Sequence, residues 1–312
     1  MTRSPSPGLL HTRLLRWYAA AQRDLPWRRP GRSPWEVLVS EVMLQQTPVA
    51  RVLPVWQRWM ELWPTPADLA AATPGDAVRE WDRLGYPRRA LRLHAAATAV
   101  RDEHDGQVPA EEAVLRTLPG IGDYTAAAVA AFAFGHRATV VDTNIRRVQA
   151  RAVSGLALPA PSLTRAEVAL ATSLLPDDDE DAAVWNVAVM ELGALVCTAR
   201  APRCGECPLA DVCRWRLAGS PPYDGPPRRG QAWEGTDRQC RGRMVQRLRE
   251  ADGPVAGELL HTLWPDRAQS DRCLDGLVAD GLVEPLADGY FSLPSTAASD
   301  GSSAPGSGHG SR

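Results

Sequence analysis

Four closely spaced cysteines constrain the fold of this chain more than any other feature. Cys197, Cys204, Cys207 and Cys213 follow a C-x6-C-x2-C-x5-C pattern. Four thiolates this close together can bind zinc or one iron–sulfur cluster. Zinc sites commonly use two C-x2-C pairs, and this run contains a single pair. The spacing therefore favours one cuboidal iron–sulfur cluster over zinc, and over two disulfides.

The composition limits the chemistry that this chain can perform. Its 312 residues carry a formal net charge of −2, so a nucleic-acid site would have to be a local basic patch. All 35 basic side chains are arginine, because the sequence contains no lysine. Without a side-chain amine, lyase chemistry through a lysine Schiff base is excluded.

The distribution of apolar residues predicts a cytoplasmic protein that does not enter a membrane. Arg13 and Arg16 interrupt the apolar residues near the N-terminus, which argues against a signal peptide. The longest apolar run, 126–134, is far shorter than the ~18 residues that a membrane helix needs.

Apolar spacing predicts an all-α core followed by a smaller module. Residues 9–218 are mostly helical in pattern, and the Pro- and Gly-rich stretch 219–236 predicts a linker. Residues 237–294 predict three helices and a hairpin that turns at Asp288–Gly289, a winged-helix-like α+β module. The Ser- and Gly-rich tail 295–312 predicts disorder. The clearest predicted helices are Trp35–Gln46, Val49–Leu62, Ala110–Leu118, Tyr124–Phe134 and Ala182–Val196, then Arg241–Glu250, Gly257–Leu263 and Gln269–Ala279 in the module.

The segment LPGIGDYTA at 118–126 lies between two predicted helices. Pro119 would end the first helix, and Gly120 and Gly122 allow a tight hairpin. Backbone N–H groups would then point outward at the N-terminus of the second helix, a site suited to a DNA phosphate. An ordinary helix–turn–helix joint is the alternative.

Two carboxylates stand in contexts suited to acid–base chemistry. Glu41 lies in the apolar stretch VLVSEVMLQQT, where desolvation would raise its pKa towards that of a general acid working near neutral pH. Asp142 precedes TNIRR and is a good helix N-cap. Such a pair can cleave an N-glycosidic bond, because an acid protonates the leaving base and a fixed carboxylate stabilises the cationic sugar. A surface glutamate and a purely structural N-cap are the alternatives.

Together these motifs resemble the helix–hairpin–helix (HhH-GPD) DNA glycosylase superfamily and, within it, the MutY-type adenine DNA glycosylases. The resemblance implies a bilobal glycosylase core over 1–218 with DNA between the lobes, and one 4Fe-4S cluster on the four cysteines. The six-helix lobe would span about 33–145, and the cluster lobe 1–32 plus 146–218, with its iron–sulfur loop at 197–213. The motifs that carry the resemblance are LPWR at 25–28, SEVMLQQT at 40–47, LGY at 84–86, LPGIGDYTA at 118–126, VDTN at 141–144 and MELGALVC at 190–197.

The resemblance also implies roles for single residues. Glu41 would protonate adenine N7, and Asp142 would stabilise the cationic sugar with support from Tyr124 and Asn144. Trp27, Arg28 and Leu44 would line the pocket of the flipped adenine. For Trp27 and Leu44, packing in the protein core is the alternative.

Four further residues would contact DNA outside that pocket. Gln46 and Tyr86 would wedge into the duplex near the base opposite the adenine. Gly120 and Gly122 would hold a backbone phosphate.

The implied activity is that of a monofunctional base-excision-repair DNA glycosylase, an N-glycosyl hydrolase. It would act as a monomer at the nucleoid on double-stranded DNA containing adenine opposite 8-oxoguanine or guanine. Endonuclease III-like relatives carry lysine where Tyr124 stands, and thymine-removing relatives generally lack the segment around Glu41. A thymine or other mismatch glycosylase and a non-catalytic iron–sulfur DNA-binding protein are the alternatives.

The sequence departs from the family pattern in three places. Val187 stands where the family often has Gln or Glu, and Pro87 where a second tyrosine is common. Residues 237–294 are too short for a Nudix-like domain and lack its acidic signature, so recognition of the opposite base needs another explanation.

Overall fold

The computed structural model describes residues 5–225 and 233–295, and it is mostly helical, as predicted. Every helix within these two ranges is too short or too polar to span a lipid bilayer. The helices before residue 226 are α1 Pro7–Ala21, α2 Pro34–Leu44, α3 Val49–Leu62, α4 Pro66–Ala71, α5 Pro74–Glu80, α6 Arg88–Glu103, α7 Glu112–Leu115, α8 Asp123–Phe134, α9 Thr143–Gln149, α10 Arg165–Ser173, α11 Asp179–Leu195 and α12 Arg214–Leu217. The later elements are α13 Asp237–Arg249, β1 Val255–Ala256, α14 Gly257–His261, α15 Arg267–Ala279, β2 Glu284–Pro285 and β3 Tyr290–Ser292.

Local sequence signals explain where the central helices begin and end. At the start of α2, the Ser33 side chain accepts from the N–H of Glu36, whose carboxylate accepts from the N–H of Ser33. This reciprocal capping box satisfies two free donors. Helix α8 ends at Gly135, which adopts the left-handed conformation (φ 72°) that glycine tolerates.

Several predicted helices end earlier in the structure than predicted, and the helix before the hairpin is the most shortened. The helix predicted over Ala110–Leu118 extends only over Glu112–Leu115, and a turn follows it at 116–117. Pro119 therefore lies beyond the helix and does not end it, contrary to the prediction. The backbone already leaves the helix after Arg116, the C-cap, whose N–H bonds back to the carbonyl of Glu112.

The described residues divide into two compact units. Residues 5–68 and 96–225 form the first unit, and residues 69–95 and 233–295 form the second. In the first unit, α2 packs on α8, and α11 packs on α1 and α9. These contacts bring residues from distant parts of the sequence to one site.

The second unit contains the winged-helix-like module, in which α13, β1, α14, α15 and a hairpin follow one another. The three strands form an antiparallel sheet in the order β1-β3-β2. Asp288 (φ 56°) and Gly289 (φ 73°) form the turn between β2 and β3 at the predicted position. The short strand β1 was not predicted, because two residues are too few to show an alternating pattern.

The second unit also includes 69–95, a segment expected in the glycosylase core. The N–H of Gly75 donates to the carbonyl of Pro294 at 2.8 Å, and the Arg249 guanidinium donates to the carbonyl of Val78 at 2.8 Å. A Cβ at position 75 would lie 2.6 Å from the Pro294 carbonyl oxygen, so this approach requires glycine. The predicted domain boundaries stay a prediction.

The predicted linker and tail are only partly covered by the described residues. Positions 226–232 of the linker and 296–312 of the tail lie outside them. At the end of the described range, Ser295 donates to the carboxylate of Glu284.

Candidate active site

A cavity of about 710 Å³ in the first unit collects the predicted catalytic and pocket residues. Its walls come mainly from α1, α2, α8 and α11 and from the loop before α9. Seven of the predicted site residues line it: Trp27, Arg28, Glu41, Leu44, Tyr124, Asp142 and Asn144.

Glu41 lies on α2 with only 5% of its surface exposed. Burial raises the pKa of its carboxyl to about 7, and the nearby Asp142 carboxylate adds to this rise. The hydroxyl of Tyr124, on α8, donates to Oε2 of Glu41 at 2.8 Å and, with the positive charge of Arg28, opposes the rise in pKa. The prediction that the apolar surroundings of Glu41 would raise its pKa is confirmed.

Tyr124 is held in its neutral, donating form. Burial raises the pKa of its phenol well above the ordinary value, and the carboxylates of Glu41 and Asp142 raise it further. A neutral phenol has a proton to donate, so Tyr124 can hold the Glu41 side chain in one orientation.

Asp142 is the N-cap of α9, as predicted. Its Oδ1 accepts from the N–H of Ile145 at 2.6 Å, and its Oδ2 accepts from Nδ2 of Asn144 at 2.7 Å. Burial raises the pKa of this carboxyl, whereas the bonds from Ile145 and Asn144 and the positive charge of Arg147 lower it. Asp142 thus has more donors than Glu41 to stabilise its ionised form.

Arg147 connects Asn144 to the cysteine segment. Its Nη2 donates to Oδ1 of Asn144 and to the carbonyl of Gly193, both at 2.7 Å, and its Nε donates to the carbonyl of Cys197 at 2.6 Å. Because Asn144 in turn donates to Asp142, a continuous chain of hydrogen bonds joins that carboxylate to the backbone at Cys197.

A buried carboxylate beside the cavity is ion-paired with two arginines. The Glu191 side chain, on α11, is 0% exposed and accepts two bonds of 2.6 Å from the guanidinium of Arg23. It also accepts a bond of 2.9 Å from Arg28. Burial opposes the ionised form, but the two arginines outweigh burial and lower the pKa of Glu191. The ion pair with Glu191 holds Arg28 at the cavity wall.

Trp27 both packs in the core and lines the cavity. It is buried and meets Trp56 edge to face, with their ring centroids 5.5 Å apart. Trp27 can therefore pack in the core and line the base pocket at the same time.

The hairpin before α8 has the exposed backbone that a phosphate site needs. Gly120 adopts a positive φ of 76°, and Gly122 is the N-cap of α8. Both glycines are exposed, and no side chain caps the first turn of this helix.

Gln46 and Tyr86 are not among the residues that line the cavity. Both are exposed, and both adopt a positive φ (55° and 50°), which costs energy in residues other than glycine. Gln46 belongs to the first unit and Tyr86 to the second.

The four clustered cysteines line a second, small cavity of about 20 Å³. All four are free thiols, and Arg151 donates to Sγ of Cys197 at 3.4 Å. Four soft sulfur donors around one cavity form a donor set that fits an iron–sulfur cluster. Cys240 and Cys273, which the spacing left out of the cluster, are buried in the second unit.

Comparisons with known proteins match both parts of this arrangement. Residues 39–171 match the HhH-GPD superfamily of base excision DNA repair proteins, and residues 197–213 match the iron-sulfur binding domain of endonuclease III. The adenine DNA glycosylase of Mycobacterium tuberculosis is 57% identical over 285 residues, which cover 91% of this chain and 93% of that protein. The chain belongs to the adenine DNA glycosylase family.

Solved structures of related glycosylases share the helical fold. A thermostable thymine-DNA glycosylase matches with a TM-score of 0.60 at 25% identity, over 68% of this chain and 97% of its own. Endonuclease III trapped on DNA as a covalent intermediate matches with a TM-score of 0.58 at 25% identity, over 69% of this chain and 99% of its own.

The site also contains residues that the sequence interpretation did not assign. Val187, one of the departures from the family pattern, lines the cavity with an apolar side chain. Glu191 and Arg147 were missed, although an acidic residue in the apolar stretch MELGALV and two adjacent arginines in a short helix are signals that a charge is buried with a partner.

Proposed function

We propose that this chain is a monofunctional glycosylase that hydrolyses the N-glycosidic bond of adenine mispaired with 8-oxoguanine or guanine in duplex DNA. One observation carries the proposal: the buried carboxyl of Glu41, with its pKa near 7, lines the same cavity as Asp142. Membership of the adenine DNA glycosylase family supports adenine as the base.

Glu41 supplies the proton. A carboxyl with a pKa near 7 is substantially protonated at neutral pH and can give its proton to N7 of adenine as the bond to the sugar breaks. The base then leaves as a neutral molecule. Glu41, now ionised, accepts a proton from the water that attacks the sugar, and so returns to its starting state.

Asp142 stabilises the positive charge that develops on the sugar. Its carboxylate is fixed by the N–H of Ile145 and by Asn144, so it needs no rearrangement as the charge forms. We assign Asn144 a positioning role, because its hydrogen bond helps to hold the Asp142 carboxylate in place.

The cavity receives the adenine after it is flipped out of the duplex. Its volume of about 710 Å³ is within the range of small-molecule sites and accommodates a nucleotide. Trp27, Arg28 and Leu44 line it and form the base pocket. The apolar Val187 replaces a polar contact to the base edge, so selectivity for adenine rests on shape and on the Glu41 proton.

Contacts outside the cavity position the duplex. The exposed backbone at Gly120 and Gly122 binds a phosphate, which sets register without reading sequence. Gln46 and Tyr86 wedge into the duplex near the opposite base. The enzyme acts as a monomer on DNA in the nucleoid.

The four clustered cysteines hold one 4Fe-4S cluster. Coordination of such a cluster by all four thiolates would cross-link the loop 197–213 and fix its shape. Purified protein with about four iron atoms and four sulfides per chain, and with visible absorption, is the expected result. Zinc in place of iron would exclude the cluster.

Base release from matched duplexes tests the function. We expect adenine release from duplexes with A opposite 8-oxoguanine and A opposite G, and none from T opposite G, under single-turnover conditions. The Glu41→Gln variant should bind the same DNA but lose at least about a hundredfold in rate. Thymine release would favour the thymine glycosylase, and DNA binding without any base release would favour a non-catalytic protein.

A further inference from the structure

Two aromatic rings and an arginine form an exposed cluster on the second unit. The Arg238 guanidinium, on α13, lies 4.9 Å from the ring centroid of Tyr86 and 5.3 Å from that of Trp233. Tyr86 is 41% exposed and Trp233 is 52% exposed, and Arg238 is exposed as well. We refer to Tyr86, Trp233 and Arg238 as the stacking cluster.

The backbone before Tyr86 is fixed so that its ring stays at the surface. Gly85 has φ 81° and Tyr86 has φ 50°, a pair of left-handed conformations that the surrounding structure must stabilise. The carbonyl of Gly85 accepts from the indole N–H of Trp81 at 2.9 Å and from Arg89 at 3.0 Å. Arg89 also lies 5.5 Å from the Tyr86 ring centroid, so guanidinium groups of two different helices contact this ring.

Trp233 is held at the start of α13 by local contacts. Its carbonyl accepts from the hydroxyl of Thr236, the N-cap of that helix, at 2.7 Å. A Cβ at Gly242 would lie 3.7 Å from the indole of Trp233, which shows that the ring packs along the helix. The C-terminal module thus contributes two members of the stacking cluster, and the segment 69–95 contributes the third.

The ion pairs of α15 bear on whether this helix could read DNA. On α15, Arg267 pairs with Glu258 and Asp271, and Arg272 pairs with Asp237, so both arginines are neutralised within the protein. In many helix-turn-helix proteins, the second helix of the motif reads the major groove. Paired in this way, α15 is poorly suited to that role.

Further arginines lie close to Tyr86 in the sequence. Arg83, Arg88 and Arg92 are exposed before and within the first turns of α6, and Arg88 also lies 3.1 Å from the carboxylate of Asp280. Arginine side chains at such a surface can contact phosphates.

We infer that the C-terminal module takes part in DNA binding through Trp233 and Arg238, which with Tyr86 stack on the nucleobase left unpaired opposite the excised base. When one base is flipped out, its partner loses both its pair and part of its stacking. Aromatic rings and guanidinium planes are the protein groups that stack on such bases. This inference rests on the proposed function for its substrate, and it gives the module a part in contacting the opposite base in place of a Nudix-like domain.

Binding to a duplex with a stable abasic site tests this inference without requiring base release. The full-length protein is titrated by fluorescence anisotropy into a duplex with a tetrahydrofuran abasic analogue opposite 8-oxoguanine, and into the same duplex fully paired. Removing one stacked side chain, in Trp233→Ala or Arg238→Ala, should weaken binding to the abasic duplex about tenfold. Binding to the paired duplex should change much less. Trp233→Phe should restore most of the affinity, because it keeps an aromatic face.

Arg243→Ala is the matched control. Arg243 lies on the same helix and also stacks on a tryptophan, 5.2 Å from the ring centroid of Trp264, and it is not a member of the stacking cluster. We expect its binding to both duplexes to equal that of the wild type. Thermal unfolding of every variant establishes that the module is folded.

Two results would overturn the inference. The first is wild-type affinity for the abasic duplex in both Trp233→Ala and Arg238→Ala. The second is an equal loss of affinity in Arg238→Ala and Arg243→Ala, which would indicate only a general effect of charge. Failure of the proposed function gives a different pattern. The wild type would then release no adenine, whatever the cluster variants do to abasic-site binding.

Discussion

The phenolic hydroxyl of Tyr124 and the Oε2 atom of Glu41 are 2.8 Å apart, although the two residues are separated by 83 positions in the sequence. The bond joins α8 to α2 at the wall of the cavity. It stabilises the ionised form of Glu41 against burial, so it tunes the carboxyl that we propose as the acid. Its removal should therefore change the pH dependence of base release.

Tyr124→Phe removes this hydrogen bond and keeps the ring. The general acid works in its protonated form, so the wild-type rate should fall as pH rises through about 7. Because Tyr124 lowers the pKa of Glu41, the fall should move to higher pH in the variant. Single-turnover rates between pH 5 and 9 measure the shift, and we expect the maximal rate to drop by less than about tenfold. A shift to lower pH would contradict this account of the pair.

Glu41 should also make the stability of the protein depend on pH. Its pKa is raised from 4.5 to about 7 in the folded state, so the folded protein holds a proton that the unfolded chain releases. The stabilisation from this proton is complete below about pH 4.5 and is lost as the pH rises to about 7. The free energy of unfolding then falls by about 3 kcal/mol. Glu41→Gln should abolish it, as measured by urea unfolding at pH 5 and pH 8.

Glu36→Gln on the same helix is the control for that experiment. Burial opposes the ionised form of Glu36, but bonds from Arg32 and Ser33 outweigh it and lower its pKa. Its contribution is therefore lost only as the solution becomes more acidic than about pH 4.5, and the variant should keep the wild-type difference between pH 5 and pH 8. Equal pH dependence in the wild type and Glu41→Gln would exclude a raised pKa for Glu41.

Two substitutions of Asp142 separate its charge from its role as a helix cap. Asn is as good an N-cap as Asp, so Asp142→Asn should cost less than about 1 kcal/mol of stability. Asp142→Ala loses the acceptor for the N–H of Ile145 and should cost about 1–2 kcal/mol. Both should lose at least about a hundredfold in the rate of adenine release, since both lack the negative charge. Near wild-type activity in Asp142→Asn would show that the charge is not needed.

Gly193→Ala should disturb the site without touching a charged group. A Cβ at this position would lie 2.6 Å from Cβ of Asn144 and 2.9 Å from its carbonyl oxygen, so α9 and α11 would have to separate. We expect a loss of about 1–3 kcal/mol in unfolding free energy and a reduced rate of base release, because Asn144 holds Asp142. Gly8→Ala is the control, since a Cβ there meets no atom within 4 Å. Equal rates of base release in Gly193→Ala and Gly8→Ala would show that Asn144 does not position Asp142.

Much of the site could be predicted because its signals are local. The N-cap at Asp142, the helix of Glu41, the glycines of the hairpin and the cysteine spacing each depend on a few neighbouring residues. The partners of Glu191 could not be predicted in this way. Arg23 lies 168 positions away and Arg28 lies 163 positions away, and no local pattern indicates which arginine meets which carboxylate.

The sequence by itself determined the family, the positions of most helices, the candidate carboxylates and the absence of a lysine for lyase chemistry. These conclusions depend on side-chain chemistry and short-range spacing, which a linear sequence displays directly. Only the tertiary structure decided that Tyr124 bonds to Glu41, and that Arg147 links Asn144 to Cys197. It alone placed Arg238 against Tyr86. Such contacts arise when helices far apart in the sequence pack together, and their geometry depends on the whole fold.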